Sequence, residues 1–193
     1  MKVLKFGGTS VGSVDSIRQI QHIIGQQTDD CIVVVSALGG ITDQLLKAAH
    51  LALEAGEEYM EVYQAIRCRH MDMVNTLITN PTTRQMLCLE LEGILDELRS
   101  ILFGVHLVKD LSDKTEAAIV SYGERMSSRI VTAALPGAVR KNSLHFIRTE
   151  HKQGQVLLNT ELTEQLIHHA FSPMPHLSVV PGFISRDSQT GEV

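Results

Sequence analysis

Lys5 is followed, after Phe6, by Gly7-Gly8 and then by Thr9, Ser10 and Ser13. Adjacent glycines let a backbone turn sharply and present bare N–H groups, because no Cβ blocks the approach. A lysine beside such a turn, with a helix starting behind it, is the equipment of an anion site. Two readings fit this spacing: a cradle for the phosphates of a nucleotide, or an ordinary strand-to-helix turn carrying a surface lysine. The order is not that of a P-loop, in which the glycines precede the lysine. Two further groups have useful chemistry. Ser36 and Thr42 flank a second glycine pair, Gly39-Gly40, and Glu124 lies in the run Gly123-Glu124-Arg125.

The elements that must position these residues follow from the apolar pattern. Val3, Leu4 and Phe6 predict a short buried strand, and Val14, Ile17, Ile20, Ile23 and Ile24 a helix. Cys31-Ile32-Val33-Val34-Val35 predicts a strand buried on both faces of a parallel sheet. Thr42 or Asp43 is the expected cap of a helix through Leu45, Leu46, Ala49 and Leu53, closed by Gly56. A β-α-β-α start of this kind implies a parallel α/β sheet with right-handed crossovers.

From 57 to 107 the pattern is helical only. It predicts a hairpin of two helices, about Glu58–Ile78 and from Thr82 onward, broken by Asn80-Pro81 and inserted into the α/β unit for packing and dimerisation. Asp113 with Glu116 reads as a capping box. Gly123 in the following helical run marks a kink or a junction between two helices. Leu144–Ile147 is expected as a third strand, Thr160 or Thr163 to Phe171 as a helix, and Leu177–Val180 as a fourth strand. The turn Asp187–Gly191 is expected to lead into a return strand at Glu192-Val193, which makes the sequence read as a shortened chain.

Bulk properties remove several classes. A formal net charge of -5 with no Lys/Arg cluster argues against nucleic-acid binding. No apolar run approaches the ~20 residues that span a bilayer, and the amino terminus does not read as a signal peptide. Cys31, Cys68 and Cys88 lack metal spacing and are expected as free thiols in a reducing cytoplasm. None of the nine histidines stands in a ligand motif.

Four pieces occur in order: Lys5-Phe6-Gly7-Gly8-Thr9-Ser10, Val35-Ser36-Ala37 with Thr42, Gly123-Glu124-Arg125 with Ser127, and Pro181-Gly182-Phe183-Ile184. Together they resemble the amino-terminal part of the aspartokinases, within the amino-acid kinase superfamily. The run Leu102–Ser128 is similar to forms fused to a homoserine dehydrogenase. The resemblance implies a three-layer αβα, carbamate kinase-like fold with a mainly parallel sheet. Residues 1–193 would be its substrate-binding portion, with helical insertion 57–107 and without the nucleotide subdomain. The implied reaction converts L-aspartate and MgATP to 4-phospho-L-aspartate and ADP, a first step toward lysine, threonine, methionine and isoleucine.

The resemblance also assigns roles. Lys5 would be catalytic and, with Gly7, Gly8, Thr9 and Ser10, would hold the phosphates of ATP. Ser36, Thr42, Glu124 and Phe183 would bind aspartate, with Glu124 on its ammonium group. A homodimer is implied, and no protein-held metal. Family members continue into a Thr-Thr-Leu-Gly-Arg-Gly-Gly-Ser-Asp-like segment that this sequence lacks, and Arg148–Gly154 lacks an acidic pattern often found there. The 193-residue chain alone is therefore expected to be inactive. The alternatives are a sister kinase acting on glutamate, acetylglutamate or a nucleotide, and a non-catalytic binding or dimerisation module.

Overall fold

Residues 1–152 and 155–193 are described by a computed structural model. Strands β1 (Lys2–Phe6), β2 (Cys31–Val35), β3 (Val139–Arg140) and β6 (Leu177–Pro181) form a parallel sheet in the order β1-β2-β6-β3. In register, Phe6 pairs with Val35 and Val35 with Pro181, so three strands end at one level. Helices α1 (Val14–Gly25), α2 (Ile41–Ala52) and α5 (Asp113–Ala134) build the layer on one face, where α5 packs across β2, β6 and β3. Val33, Val35 and Val179 are sealed beneath them with Ile17, Ile41, Leu45 and Ile130. Helix α6 (Thr160–Ala170) covers part of the other face and completes the αβα layering.

The helical hairpin consists of α3 (Glu58–Leu77) and α4 (Pro81–Val108). Asn80 caps α4 by accepting from the Thr83 N–H at 3.0 Å, and Pro81 occupies the first turn. The buried stripes Tyr59-Tyr63-Ile66-His70-Val74-Leu77 and Leu87-Leu91-Leu95-Leu98-Leu102 repeat at helical spacing. They pack the pair against α2 and α5, which fulfils the packing role expected of the hairpin.

Several expectations are corrected. β1 is an edge strand with Val3 59% exposed, not a buried one. The caps of α2 and α5 are Gly40 and Ser112 rather than Thr42 or Asp43 and Asp113. α5 runs unbroken through Gly123. Ser143–His145 is a 3-10 turn rather than part of a strand, because Leu144 and Phe146 are turn anchors facing the interior. The strand character lies after it, in β4 (Arg148–Lys152), which pairs with β5 (Gln155–Leu158) and with β7 (Arg186–Asp187) in a second small sheet. Residues 153 and 154, the end of the Arg148–Gly154 segment, lie outside the described residues. At the carboxyl end, Asp187 N–H donates to the Glu192 carbonyl at 2.7 Å, but Glu192 and Val193 form no strand.

His70 on α3 is fully buried, and its Nδ1 donates to the Ile66 carbonyl at 2.7 Å, which leaves Nε2 without a partner among the described residues. Burial first, opposed by that hydrogen bond and reinforced by Arg69, lowers its pKa to about 4. The unfolded chain binds this proton near pH 6.5 and the folded chain does not. Stability is therefore complete above pH 6.5 and is lost as pH falls toward 4, by about 3 kcal/mol from this group. Urea unfolding from pH 7 to 4 should show that slope, and His70→Leu should flatten it. Equal slopes in both proteins would show that His70 does not titrate in this way.

Candidate active site

The level ends of β1, β2 and β6 place three turns side by side at the carboxyl edge of the sheet, where open α/β sheets bind ligands. The first turn closes on itself through Ser10 N–H to Gly7 O (2.9 Å) and Val11 N–H to Gly7 O (3.2 Å). Among the described residues the N–H groups of Gly7, Gly8 and Thr9 donate to nothing. Ser13 caps α1 immediately behind them. The second turn is pressed against the first: a Cβ on Gly39 would stand 3.0 Å from the Gly8 carbonyl oxygen, and one on Gly8 would stand 3.2 Å from that of Ala37. The third turn is tied in by Gly182 N–H donating to Val35 O at 2.8 Å.

Beside these turns lies a cavity of about 410 Å³ lined by Gly8, Ser36, Thr42, Glu124, Phe183 and Ser185, among others. Glu124 enters it from α5 and is only 5% exposed. One carboxylate oxygen accepts from the Ala37 N–H at 3.1 Å. Burial pushes the Glu124 carboxyl above the usual carboxylate range, and the Ala37 hydrogen bond offsets part of that. One turn along α5, Ser127 Oγ donates to the Ser36 carbonyl at 2.7 Å, a second tie between the helix and the β2–α2 turn. The hydroxyls of Ser36 and Thr42 have no protein partner among the described residues. The wall is thus a buried acid opposite free hydroxyl groups at the N-terminus of α2, suited to a small zwitterionic ligand.

The sequence-derived residues divide between two places. Gly8, Ser36, Thr42, Glu124 and Phe183 share the cavity. Lys5 stands outside it at the end of β1, exposed, with its Nζ 5.8 Å from the centroid of the Phe183 ring. Gly7, Thr9 and Ser10 lie in the first turn but do not line the cavity. Phe183 is not a core residue: it is 89% exposed and held at φ 61°, a left-handed backbone rare for an aromatic residue. Sequence reasoning gave no site role to Ser185, to Ala37 or to the backbone of the second glycine pair, Gly39-Gly40, although it noted that pair. No group of three or more His, Cys, Asp or Glu side chains among the described residues is placed to hold a metal.

The model of the amino acid kinase family matches residues 1–192. "Aspartokinase 1, chloroplastic" of Arabidopsis thaliana is 28% identical over 99% of this chain and 34% of its own length. "Aspartokinase 2, chloroplastic" of the same plant is 32% identical over 69% of this chain and 24% of its own. The chain thus spans about a third or less of the length of these relatives. Among solved structures, E. coli aspartokinase III in complex with lysine and aspartate (T-state) superposes with a TM-score of 0.86 at 25% identity, over 99% of this chain and 42% of that one.

Gly123 explains how Glu124 gets in. A Cβ at Gly123 would stand 2.6 Å from the Ala37 Cβ, so α5 approaches the β2–α2 turn at a distance only glycine permits. Ala for Gly in a helix ordinarily stabilises by about 1 kcal/mol. Here overpacking outweighs that, and Gly123→Ala should destabilise by about 1–3 kcal/mol in urea unfolding. Ala37→Gly in the same chain should recover most of the loss; a stabilised Gly123→Ala protein would contradict the close approach.

Proposed function

The chain belongs to the amino acid kinase family, and we propose that its protein is an aspartate kinase, transferring the γ-phosphoryl group of ATP to the side-chain carboxylate of L-aspartate. The observation that carries this reading is the pairing of a buried, hydroxyl-faced glutamate cavity with a lysine–glycine turn at the same sheet edge. A solved neighbour of 25% identity, E. coli aspartokinase III, holds aspartate, which supports this acceptor. Residues 1–193 would supply the acceptor-binding part of a larger catalytic domain.

An oxygen of the acceptor carboxylate attacks the γ-phosphorus, a new P–O bond forms, the bond to the β-phosphate oxygen breaks, and ADP leaves with that electron pair. The nucleophile is already ionised at pH 7, so no general base is required. Transfer of this kind depends on positioning and charge neutralisation. Lys5 would meet the phosphoryl charge, and the unengaged N–H groups of Gly7, Gly8 and Thr9, followed by Ser10, would receive phosphate oxygens. Glu124 would pair with the substrate ammonium, while Ser36 and Thr42 would donate to a carboxylate. Phe183 would close the pocket. Mg²⁺ would arrive on the nucleotide; the described residues offer it no carboxylate cluster, and no step here runs through it.

The proposal extends to a homo-oligomer, a dimer in its simplest form, supported by exposed Met86, Leu89, Phe103 and Leu107 on α4. It includes a role at the entry to lysine, threonine, methionine and isoleucine synthesis. It also includes a reducing compartment such as the cytoplasm, supported by three free cysteines. No helix among the described residues is long and apolar enough to cross a membrane.

Trapping acyl phosphate with hydroxylamine in the full-length protein, with aspartate, glutamate and acetylglutamate compared, should give product from aspartate alone. Lys5→Ala should reduce it by about 10²-fold or more. Product from a different acid would move the function to a sister kinase, and none from folded protein would favour a binding module.

Glu124 adds a pH test. Because its carboxyl is raised, acid protonates it earlier than an ordinary glutamate, and KM for aspartate should climb as pH falls through that raised value. Glu124→Gln should raise KM about tenfold or more at pH 7 and flatten the acid limb. A carboxyl raised by folding contributes stability below its unfolded value and loses it as pH rises through the folded one. Glu124→Gln should therefore be no less stable than the parent at pH 7. An unchanged KM would remove Glu124 from the ammonium site.

A further inference from the structure

Arg69, half-buried in the middle of α3, reaches out of the helical hairpin toward both glycine turns. Its Nη2 donates to the Gly12 carbonyl at 3.3 Å. Its Nη1 lies 3.8 Å from the point where a Cβ on Gly40 would stand. Gly12 closes the turn that begins at Gly7, and Gly40 caps α2 with φ 79°. One guanidinium therefore bonds the first half of the backbone cradle and lies beside the second, without lining the acceptor cavity.

The surroundings do not compensate its charge. Among the described residues Arg69 makes no ion pair, and the Gly12 carbonyl is its single hydrogen-bond acceptor, which leaves most of its five N–H donors unused by the protein. It stands beside Gly40 at the N-terminal end of α2 and bonds the Gly12 end of the first turn. A helix N-terminus carries positive partial charge and disfavours a cation. A guanidinium kept in that position becomes favourable once a polyanion occupies the cradle between the turns.

We propose that Arg69 is a positioning residue for phosphoryl transfer: it fixes the Gly7–Gly12 turn against the Gly39–Gly40 turn and adds positive charge beside the nucleotide phosphates. In this role it joins the helical hairpin to the transfer site, so a displacement of α3 is felt at the cradle. The inference rests on the phosphoryl-transfer reading given above.

The test uses the full-length protein, with steady-state hydroxylamine trapping and equilibrium binding of ADP. Arg69→Met should lower kcat and raise KM for ATP, together by about tenfold to a hundredfold in kcat/KM, with KM for aspartate within twofold of the parent. Arg69→Lys keeps the charge but cannot span two turns; it should restore ADP binding largely and kcat only in part. Thermal unfolding of each variant accompanies the kinetics, and if Arg69→Met does not fold, Arg69→Lys alone decides by its split between ADP binding and kcat. Nucleotide parameters within twofold of the parent in the folded variants would overturn the proposal, as would equal losses for ATP and aspartate that track the fall in Tm. If the parent forms no acyl phosphate with any acid, the functional reading has failed. ADP binding still decides on Arg69 in that case, and equal affinity in parent and variants would overturn its role.

Discussion

The arrangement depends on a contact between two stretches of bare backbone. β1 and β2 end level because Phe6 pairs with Val35, and this forces the turns that follow to occupy adjacent space. They fit because position 39 has no Cβ to meet the Gly8 oxygen at 3.0 Å. A Cβ there would stand closer to that oxygen than ordinary van der Waals contact, so the neighbouring turn would have to give by a few tenths of an ångström. The same economy recurs one layer out, where Gly123 lets α5 touch Ala37. Backbone contact positions the candidate site, and side chains then decorate it.

Glu124 shows the cost of that arrangement. A carboxylate at 5% exposure whose one hydrogen-bond donor from another residue, among the described residues, is the Ala37 N–H is poorly compensated, and its raised pKa expresses that. The incomplete solvation is also what makes it useful. An acid already stripped of water loses little more when an ammonium group arrives, and the attraction acts in a medium of low dielectric. Ser127, by binding the Ser36 carbonyl, holds the helix in place against the tendency of the charge to move outward.

Sequence reasoning reached the elements whose residues record burial directly. β2 and β6 are apolar runs, α4 repeats leucine at helical spacing, and Lys5-Gly7-Gly8 is local in the chain. It failed where the pattern records something else. All four residues of β5 are exposed and β4 is Arg-Thr-Glu-His-Lys, so neither carries an apolar alternation. Leu144 and Phe146 sit two apart like strand residues, yet they anchor a 3-10 turn, with Phe146 edge-on to Phe171 at 5.4 Å. Gly123 reads as a helix breaker until the neighbour it accommodates, 86 positions earlier in the chain at Ala37, is in view. Sequence reasoning places Phe183 at the pocket, where it lies, but nothing in its type announces the positive φ or the exposure with which it gets there.

Lys5 and Glu124 are opposite charges serving one sheet edge, and among the described residues neither makes an ion pair. The sheet keeps them apart. Side chains alternate across a strand, so Lys5 projects on the same face as Val3, the face where Ile32, Val34 and Phe183 line an apolar cavity of about 530 Å³. Glu124 arrives from α5, on the opposite face. Phe183 stands at the rim where the two meet, lining both cavities, with Lys5 over its ring. Had both charges come from one face they would neutralise each other, and the cavity would lose both its acid and its neighbouring cation. Delivering them from opposite sides of a parallel sheet leaves each charge for a ligand: the cation for a phosphoryl group, the anion for an ammonium. A bound molecule that carries one of these and receives the other completes the electrostatics that the protein alone leaves open.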